Sequence, residues 1–337
     1  MDIIELIITN VNMFQIFVGV IAAFLSGAFL LDRALIPSTI PNRPEIVKRA
    51  IERDESLYYF GIGSNMSRKK LEGRTSSKIN IVTMEPAIVP GFRLAFDLPG
   101  FLPLEPSMGS LEPLKGIDES VKGTTASCST PIDAYEGGEC HGALVCLSAK
   151  DYEKVYRSEG GGRGRQQQYE EIIIEAIPYD KKHPPVKAVA FRSRDHARLK
   201  IDACPSLRYM SILRKGAEEL HLKPEYQDWL SKHPVQKSPR FLNKIAAYNL
   251  VFTVIVSFRL KLRAVSTIQN KLLWIVHLPH NEMSIIKQFI SQVATGLILL
   301  PGSLMGLFIL PVLRMTGNEP PMIKLILKSH IEDDPAV

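Results

Sequence analysis

A chain of 337 residues can hold two average domains, or one domain with membrane segments and tails, and is long enough to bury a full core. Its 41 Lys and Arg against 35 Asp and Glu give a net charge of +6 that is spread along the sequence rather than gathered in one basic block, which argues against a nucleic-acid partner. Cys128, Cys140, Cys146 and Cys204 form no Cys-x-x-Cys pair and have no His at zinc spacing, so neither a metal site nor a redox motif is indicated, and four thiols in a reducing compartment are expected.

Leu6 to Leu31 is a run of 26 residues without a charge, long enough to cross a bilayer core, and residues 1–35 read as a transmembrane anchor. Asp2 and Glu5 precede the run with no Lys or Arg, unlike the basic start of a cleaved signal peptide. Arg33, Arg43, Lys48 and Arg49 follow it, and this charge bias puts the downstream domain on the cytosolic or equivalent inner face. Residues 36–56, with three prolines and then the charged stretch Glu45 to Arg53, read as a solvated linker carrying a short helix.

From Leu57 the pattern becomes strand, glycine turn, short polar helix. Leu57 to Phe60 is apolar and aromatic, and Ser67, Arg68, Lys69 and Lys70 open a helix-compatible run. Between them, Gly61, Ile62, Gly63, Ser64 and Asn65 form a turn whose glycines let the backbone come close to a ligand and whose amides can face an anion or an oxyanion. The stretch is not a dinucleotide fingerprint, since Met66 stands where the third glycine would be.

Ile79 to Met84, Phe92 to Phe96, His141 to Leu147, Glu171 to Ile177 and Val186 to Phe191 are further strand candidates, rich in Val, Ile and Phe. Asp97 to Glu139 is crowded with Pro, Gly, Ser and Glu and reads as a long loop over one end of a sheet. Ser148 to Asp151 fits a capping-box variant and starts a helix with Tyr152, Val155 and Tyr156 on one face. Gly160, Gly161, Gly162 and Gly164 stop that helix, leaving Glu159 at its exit and Tyr169 beyond the loop.

Pro205 to Leu222 is an amphipathic helix whose Leu207, Met210, Leu213, Ala217 and Leu220 form a core face, and whose Arg214, Lys215, Glu218 and Glu219 form a solvated one. Residues 234–337 read as a hydrophobic membrane-associated region. Ile245 to Phe258 is 14 uncharged residues followed by Arg259, Lys261 and Arg263, which suits an interfacial helix or a buried amphipathic one. Gln288 to Leu313 is an uncharged run of 26 that spans or, with Pro301 and Pro311, re-enters the bilayer.

Tyr59-Phe60-Gly61-Ile62-Gly63-Ser64-Asn65-Met66 resembles the Tyr-Phe-Ala-Tyr-Gly-Ser-Asn-Leu signature of the γ-glutamylcyclotransferase family. Pro90 to Phe96, Glu105 to Leu111, Cys140 to Leu144 and Ser148 to Gly160 are similar, in order, to later segments of the same family, over about residues 57–233. The resemblance implies an α+β fold, a small mixed β-barrel with flanking helices, to which the N- and C-terminal hydrophobic segments are added. It also implies that Glu159 falls on the family's catalytic glutamate and Tyr169 on the tyrosine after its loop.

The implied reaction cyclises a γ-glutamyl amide to 5-oxoproline, with release of an amine or amino acid. The α-amine, with a pKa near ~8, must lose a proton before it attacks its own γ-carbonyl, and one carboxyl, Glu159, can take that proton and return it to the leaving amine. Gly61, Ile62, Gly63, Ser64, Asn65 and Tyr169 are the implied substrate-binding residues, with no metal or cofactor and a small γ-glutamyl substrate as partner beside the membrane. Ile62 stands where the family has tyrosine, so a non-catalytic binding or scaffold protein on the same barrel is the alternative.

Overall fold

The computed structural model describes residues 40–100, 104–114, 135–164, 167–180, 183–199, 202–236 and 240–254, with isolated positions 296, 300, 303, 311 and 315. In chain order the elements are helix α1 (Glu45–Arg53), strand β1 (Ser56–Gly61), a 3-10 turn (Gly63–Met66), α2 (Arg68–Glu72), β2 (Ile81–Pro90), β3 (Phe92–Pro99), β4 (Ser107–Pro113) and β5 (Glu139–Ser148). They continue with α3 (Ala149–Ser158), β6 (Tyr169–Pro178), β7 (Val186–Ser193), α4 (Leu207–Glu219), α5 (Pro224–Lys232) and α6 (Arg240–Val254).

Five strands close a barrel in the order β1-β5-β2-β6-β7, and β3 and β4 form a separate two-stranded sheet. The pairs around the barrel are antiparallel except where β1 meets β7, a parallel contact at Tyr59 and Val189 that closes the ring. The mixed barrel with flanking helices expected from the sequence is therefore present. Closure leaves no free edge between these strands and carries the end of β1, with the glycine turn, to the barrel mouth.

The interior is packed by aromatic and aliphatic side chains. Tyr59 lies 5.5 Å from Phe191 and 6.1 Å from Tyr152, ring centre to ring centre, and Phe60, Leu144 and Leu147 are buried around them. Gly142 permits the tight β1–β5 approach, since a Cβ there would meet the Gly61 carbonyl oxygen at 2.6 Å. At the start of α3 the Ser148 hydroxyl accepts from the Asp151 amide at 3.2 Å, as the capping pattern requires. On α4, Met210, Leu213 and Ala217 are buried, as is Leu220 at its C-cap, as their spacing predicts, whereas Leu207 at its start is half-buried.

The structure corrects three readings. The stretch 97–139 is not loop throughout, because Ser107–Pro113 is strand β4. Its polar composition hid a buried strand whose polar groups are satisfied: the Ser107 hydroxyl donates to the Ala203 carbonyl at 2.9 Å, and Glu112 meets Arg192 and Arg198 at 3.0 and 2.6 Å. The short helix expected at Glu45–Arg53 is present as α1, but it is not solvated on every side, since it buries Val47 and Ala50 in the barrel's core cluster. The expectation of four thiols is also corrected, as Cys140 and Cys146 are free but Cys204 is disulfide-bonded.

Within α6, Ala246, Ala247, Asn249 and Val251 are buried. Among the described residues no helix is long and apolar enough to cross a membrane. The predicted span Leu6 to Leu31 lies outside the described residues, as does the run Gln288 to Leu313 apart from four isolated positions.

Asp97 fastens the two-stranded sheet to the barrel. One carboxyl oxygen accepts from Ser110 of β4 at 2.6 Å and from Ser193 of β7 at 2.8 Å, while the other is buried without a partner among the described residues. Burial first, then the charges of Asp202 and Glu112, push this carboxyl up to about 7. A carboxyl raised in the folded state binds more protons folded than unfolded, so its contribution to stability falls as pH rises from about 4 to about 7. Asp97→Asn cannot titrate. Its melting temperature relative to wild type should therefore rise between pH 5 and pH 8, by roughly 4–8 °C if the effect is on the order of 2 kcal/mol. A difference independent of pH, measured by differential scanning calorimetry, would contradict the raised carboxyl.

Candidate active site

The glycine turn and the exit of α3 lie in contact, and the contact is built from side chains. Asn65 donates from Nδ2 to Glu159 Oε1 at 2.9 Å and to the Tyr59 hydroxyl at 2.7 Å. Its own Oδ1 accepts from Arg74 Nη1. Arg74 also reaches Glu159 Oε1 with Nη2 at 2.6 Å, Ser158 Oγ with Nε at 2.7 Å and Ser64 Oγ with Nη1 at 3.3 Å. One guanidinium thus bridges the glycine turn and the helix exit.

The placement of Glu159 carries an electrostatic cost that Arg74 offsets. Glu159 caps the C-terminus of α3, its amide donating to the Val155 carbonyl at 3.1 Å, where the helix dipole is negative and disfavours a carboxylate. The Arg74 guanidinium supplies the opposite charge within hydrogen-bond distance. The Glu159 side chain is only 15% exposed, so this pairing is less screened than a surface ion pair. Both of these bonds fall on Oε1.

The Tyr59 and Tyr209 hydroxyls lie against the glycine turn. Gly63 has φ +63°, and a Cβ there would come within 2.6 Å of the Tyr209 hydroxyl, so both the backbone conformation and the space demand glycine. Tyr209, on α4, accepts at its hydroxyl from the Gly109 amide at 3.1 Å, and Tyr169 donates from its hydroxyl to the Gly109 carbonyl at 2.9 Å. Burial, and then the charge of Glu159, hold the Tyr59 and Tyr169 phenols above their ordinary range, so both remain neutral donors or acceptors. Gly61 sits in close packing, since a Cβ there would lie 3.1 Å from Asn65 Cβ. Ile62 caps the 3-10 turn in extended backbone and packs, partly buried, against the core.

Most of the sequence-predicted residues therefore converge. Gly61, Ile62, Gly63, Ser64 and Asn65 form one face, and Glu159 forms the other. Two details differ from expectation. The Asn65 amide donates to the Ile62 carbonyl at 3.2 Å, so Asn65 contributes its side chain rather than its backbone donor. The Tyr169 hydroxyl is engaged by Gly109, which makes it a brace for β4. Sequence reasoning missed Arg74, Ser158 and Tyr209 as site residues. Arg74 lies two positions beyond the end of α2 with nothing local to mark it, and Tyr209 sits on a helix whose periodicity speaks only of core.

No family model matches the chain. Over 190 residues, 56% of its length, the chain is 27% identical to γ-glutamyl cyclotransferase gliK of Aspergillus fumigatus, covering 66% of that protein. It is also 27% identical over 158 residues, 47% of its length, to γ-glutamyl cyclotransferase gliK of Claviceps purpurea, covering 62% of that protein. The chain thus spans just under two thirds of the length of these curated relatives. Two sequence relatives carry the family name that the motifs of residues 57–233 suggested. A solved structure named γ-glutamyl cyclotransferase superposes with a TM-score of 0.40 at 18% identity, covering 57% of this chain and 98% of the other.

Proposed function

We propose that this chain is a γ-glutamylcyclotransferase, which converts a γ-glutamyl amide to 5-oxoproline and a free amine or amino acid. The observation that carries the reading is the joining of Glu159 to the Gly61–Asn65 turn through Asn65 and Arg74. The names of the curated relatives support the same chemistry.

In this reading Glu159 is the general acid/base. With Oε1 held by Asn65 and Arg74, Oε2 takes a proton from the substrate's α-amine, whose nitrogen attacks the γ-carbonyl carbon and closes a five-membered ring. The tetrahedral oxyanion collapses, the original amide C–N bond breaks, and the same carboxyl returns the proton to the departing nitrogen. The Gly63 and Ser64 amides, at the first two positions of the 3-10 turn, suit the α-carboxylate or the oxyanion. A substrate held by a fixed turn and a fixed carboxylate is already folded for ring closure, which lowers the entropic part of the barrier. Tyr169 and Tyr209 shape this pocket wall through Gly109, and Ile62 bounds it where an aromatic side chain is absent.

The test is 5-oxoproline release by purified protein from γ-glutamyl amino acids, γ-glutamylamines and glutathione. Release from at least one class is expected. No release from any of them would leave a non-catalytic protein on this barrel.

The uncharged run Leu6 to Leu31 and the Arg and Lys residues after it support attachment to a membrane with the barrel on the cytosolic face. The full-length protein should then stay in the membrane pellet through extraction at alkaline pH, and its complete release to the supernatant would refute the anchor.

A further inference from the structure

The loop that follows Glu159 is backbone-rich and intrinsically soft. Gly160, Gly162 and Gly164 all take positive φ, at +86°, +76° and +63°, and ordering residues without side chains costs roughly 1–2 kcal/mol of backbone entropy each. Something must hold this loop if Glu159 is to keep its place. Tyr156, three residues before Glu159, provides one surface: Gly161 donates its amide to the Tyr156 carbonyl at 2.8 Å and lies so close to the ring that a Cβ would be 2.5 Å from Cγ, Cδ1 and Cε1. The Tyr156 hydroxyl reaches the far side of the loop, donating to Gln167 Oε1 at 3.0 Å, and Gln167 in turn donates to the Tyr169 carbonyl at 2.6 Å.

Tyr156 is itself held from outside the barrel. Arg43, two residues before α1, places its guanidinium carbon 3.9 Å from the Tyr156 ring centre. The same guanidinium forks onto Glu171 of β6, with Nε to Oε2 at 2.7 Å and Nη2 to Oε1 at 2.6 Å, and its Nη1 pairs with Glu153 of α3. Tyr152 of α3 adds a hydroxyl bond to Glu171 Oε1 at 2.7 Å, and the Glu171 side chain is 2% exposed. Glu153 and Tyr156 stand at the helical end of the glycine loop, and Glu171 at its strand end. A single arginine from the segment that precedes the barrel therefore clasps both ends of the loop that begins at Glu159.

We propose that Arg43 is a positioning residue for Glu159, acting through Tyr156 and the glycine loop, so that the segment N-terminal to the barrel is part of the active unit. The inference rests on the reading of Glu159 as the acid/base group. Lysine could replace Arg43 only in part, because it keeps the charge but loses both the fork and the flat contact with Tyr156.

The experiment uses the full chain and three variants: Arg43→Lys, Arg43→Met and the double variant Arg43→Met/Glu171→Gln. The double variant removes the buried carboxylate that Arg43→Met alone would leave unpaired, so it tests the clasp even if the single variant folds poorly. For the double variant, kcat for 5-oxoproline release is expected to fall about tenfold or more with KM changed less than about twofold, and Arg43→Lys is expected to lie between it and wild type. Amide exchange over Glu159 to Gly164 should accelerate by a similar factor while exchange in β2 and β5 stays at the wild-type rate. A folded double variant with wild-type kcat, or with lowered kcat but unchanged exchange in the loop, would overturn the proposal. Because exchange is read without substrate, wild-type protein that releases no 5-oxoproline would count against the cyclotransferase reading, while unchanged exchange in the variants would count against the clasp.

Discussion

Glu159→Gln is expected to lower kcat for 5-oxoproline release by about 10²–10⁴-fold, with KM little changed and the melting temperature within a few degrees of wild type. Glutamine is the right probe because its carbonyl oxygen can still accept from Asn65 Nδ2 and Arg74 Nη2, the two bonds that now fall on Oε1. Its amide nitrogen cannot accept a proton from the α-amine at any pH the fold tolerates. The substitution therefore separates proton transfer from architecture. Kinetics on the one substrate class that wild-type protein turns over, paired with a thermal melt, are sufficient, and turnover within a few-fold of wild type would remove Glu159 from the acid/base role.

Arg74→Ala is expected to produce the second largest loss, about 10²-fold in kcat, by a different route. Arg74 touches Ser64 and Asn65 on one side and Ser158 and Glu159 on the other, so its removal leaves the Asn65–Glu159 bond without the bridge that braces it. It also leaves the Glu159 carboxylate at the negative end of α3 without its counter-charge. Arg74→Lys should recover only part of the loss, since a single ammonium cannot reach four partners. Guanidinium added at tens of millimolar, below denaturing levels, should raise the turnover of Arg74→Ala but not that of Glu159→Gln. Absence of rescue, together with wild-type kcat in the alanine variant, would show that the bridge is structural only.

The contrast between these two residues explains what could be read in advance. Glu159 is legible as a candidate because a helix with a capping start and a glycine stop leaves few positions at its exit, and the family resemblance implies one of them. The glycine turn was visible because Gly61 and Gly63 interrupt an otherwise continuous strand-to-helix pattern. Arg74 left no such trace: it is a cation on a polar segment, and its role depends on which residues the barrel brings opposite to it. Strand β4 was missed for a related reason. Ser107 and Ser110 look like loop residues until Asp97 and the Ala203 carbonyl are placed beside them to satisfy their hydroxyls.

Arg43 shows the same limit at the domain boundary. By sequence it belongs to a charged, proline-bearing stretch before the first strand, and its burial against Glu171 and Tyr156 follows only from the way α1 folds back onto the barrel.

The sequence by itself determined the local features of this protein: the strand and helix periods, the α3 cap, the glycines that permit a tight turn, and the candidate carboxylate. These depend on neighbours within a few positions along the chain, where spacing alone dictates geometry. The tertiary structure decided which charges meet. Asn65 and Glu159 are 94 positions apart and Arg43 and Glu171 are 128 apart, and the strand pairings of the barrel, β1 with β5 among them, bring such pairs within hydrogen-bond distance. Ionic and hydrogen-bonded contacts of that range are fixed by the path of the backbone, which no local pattern encodes.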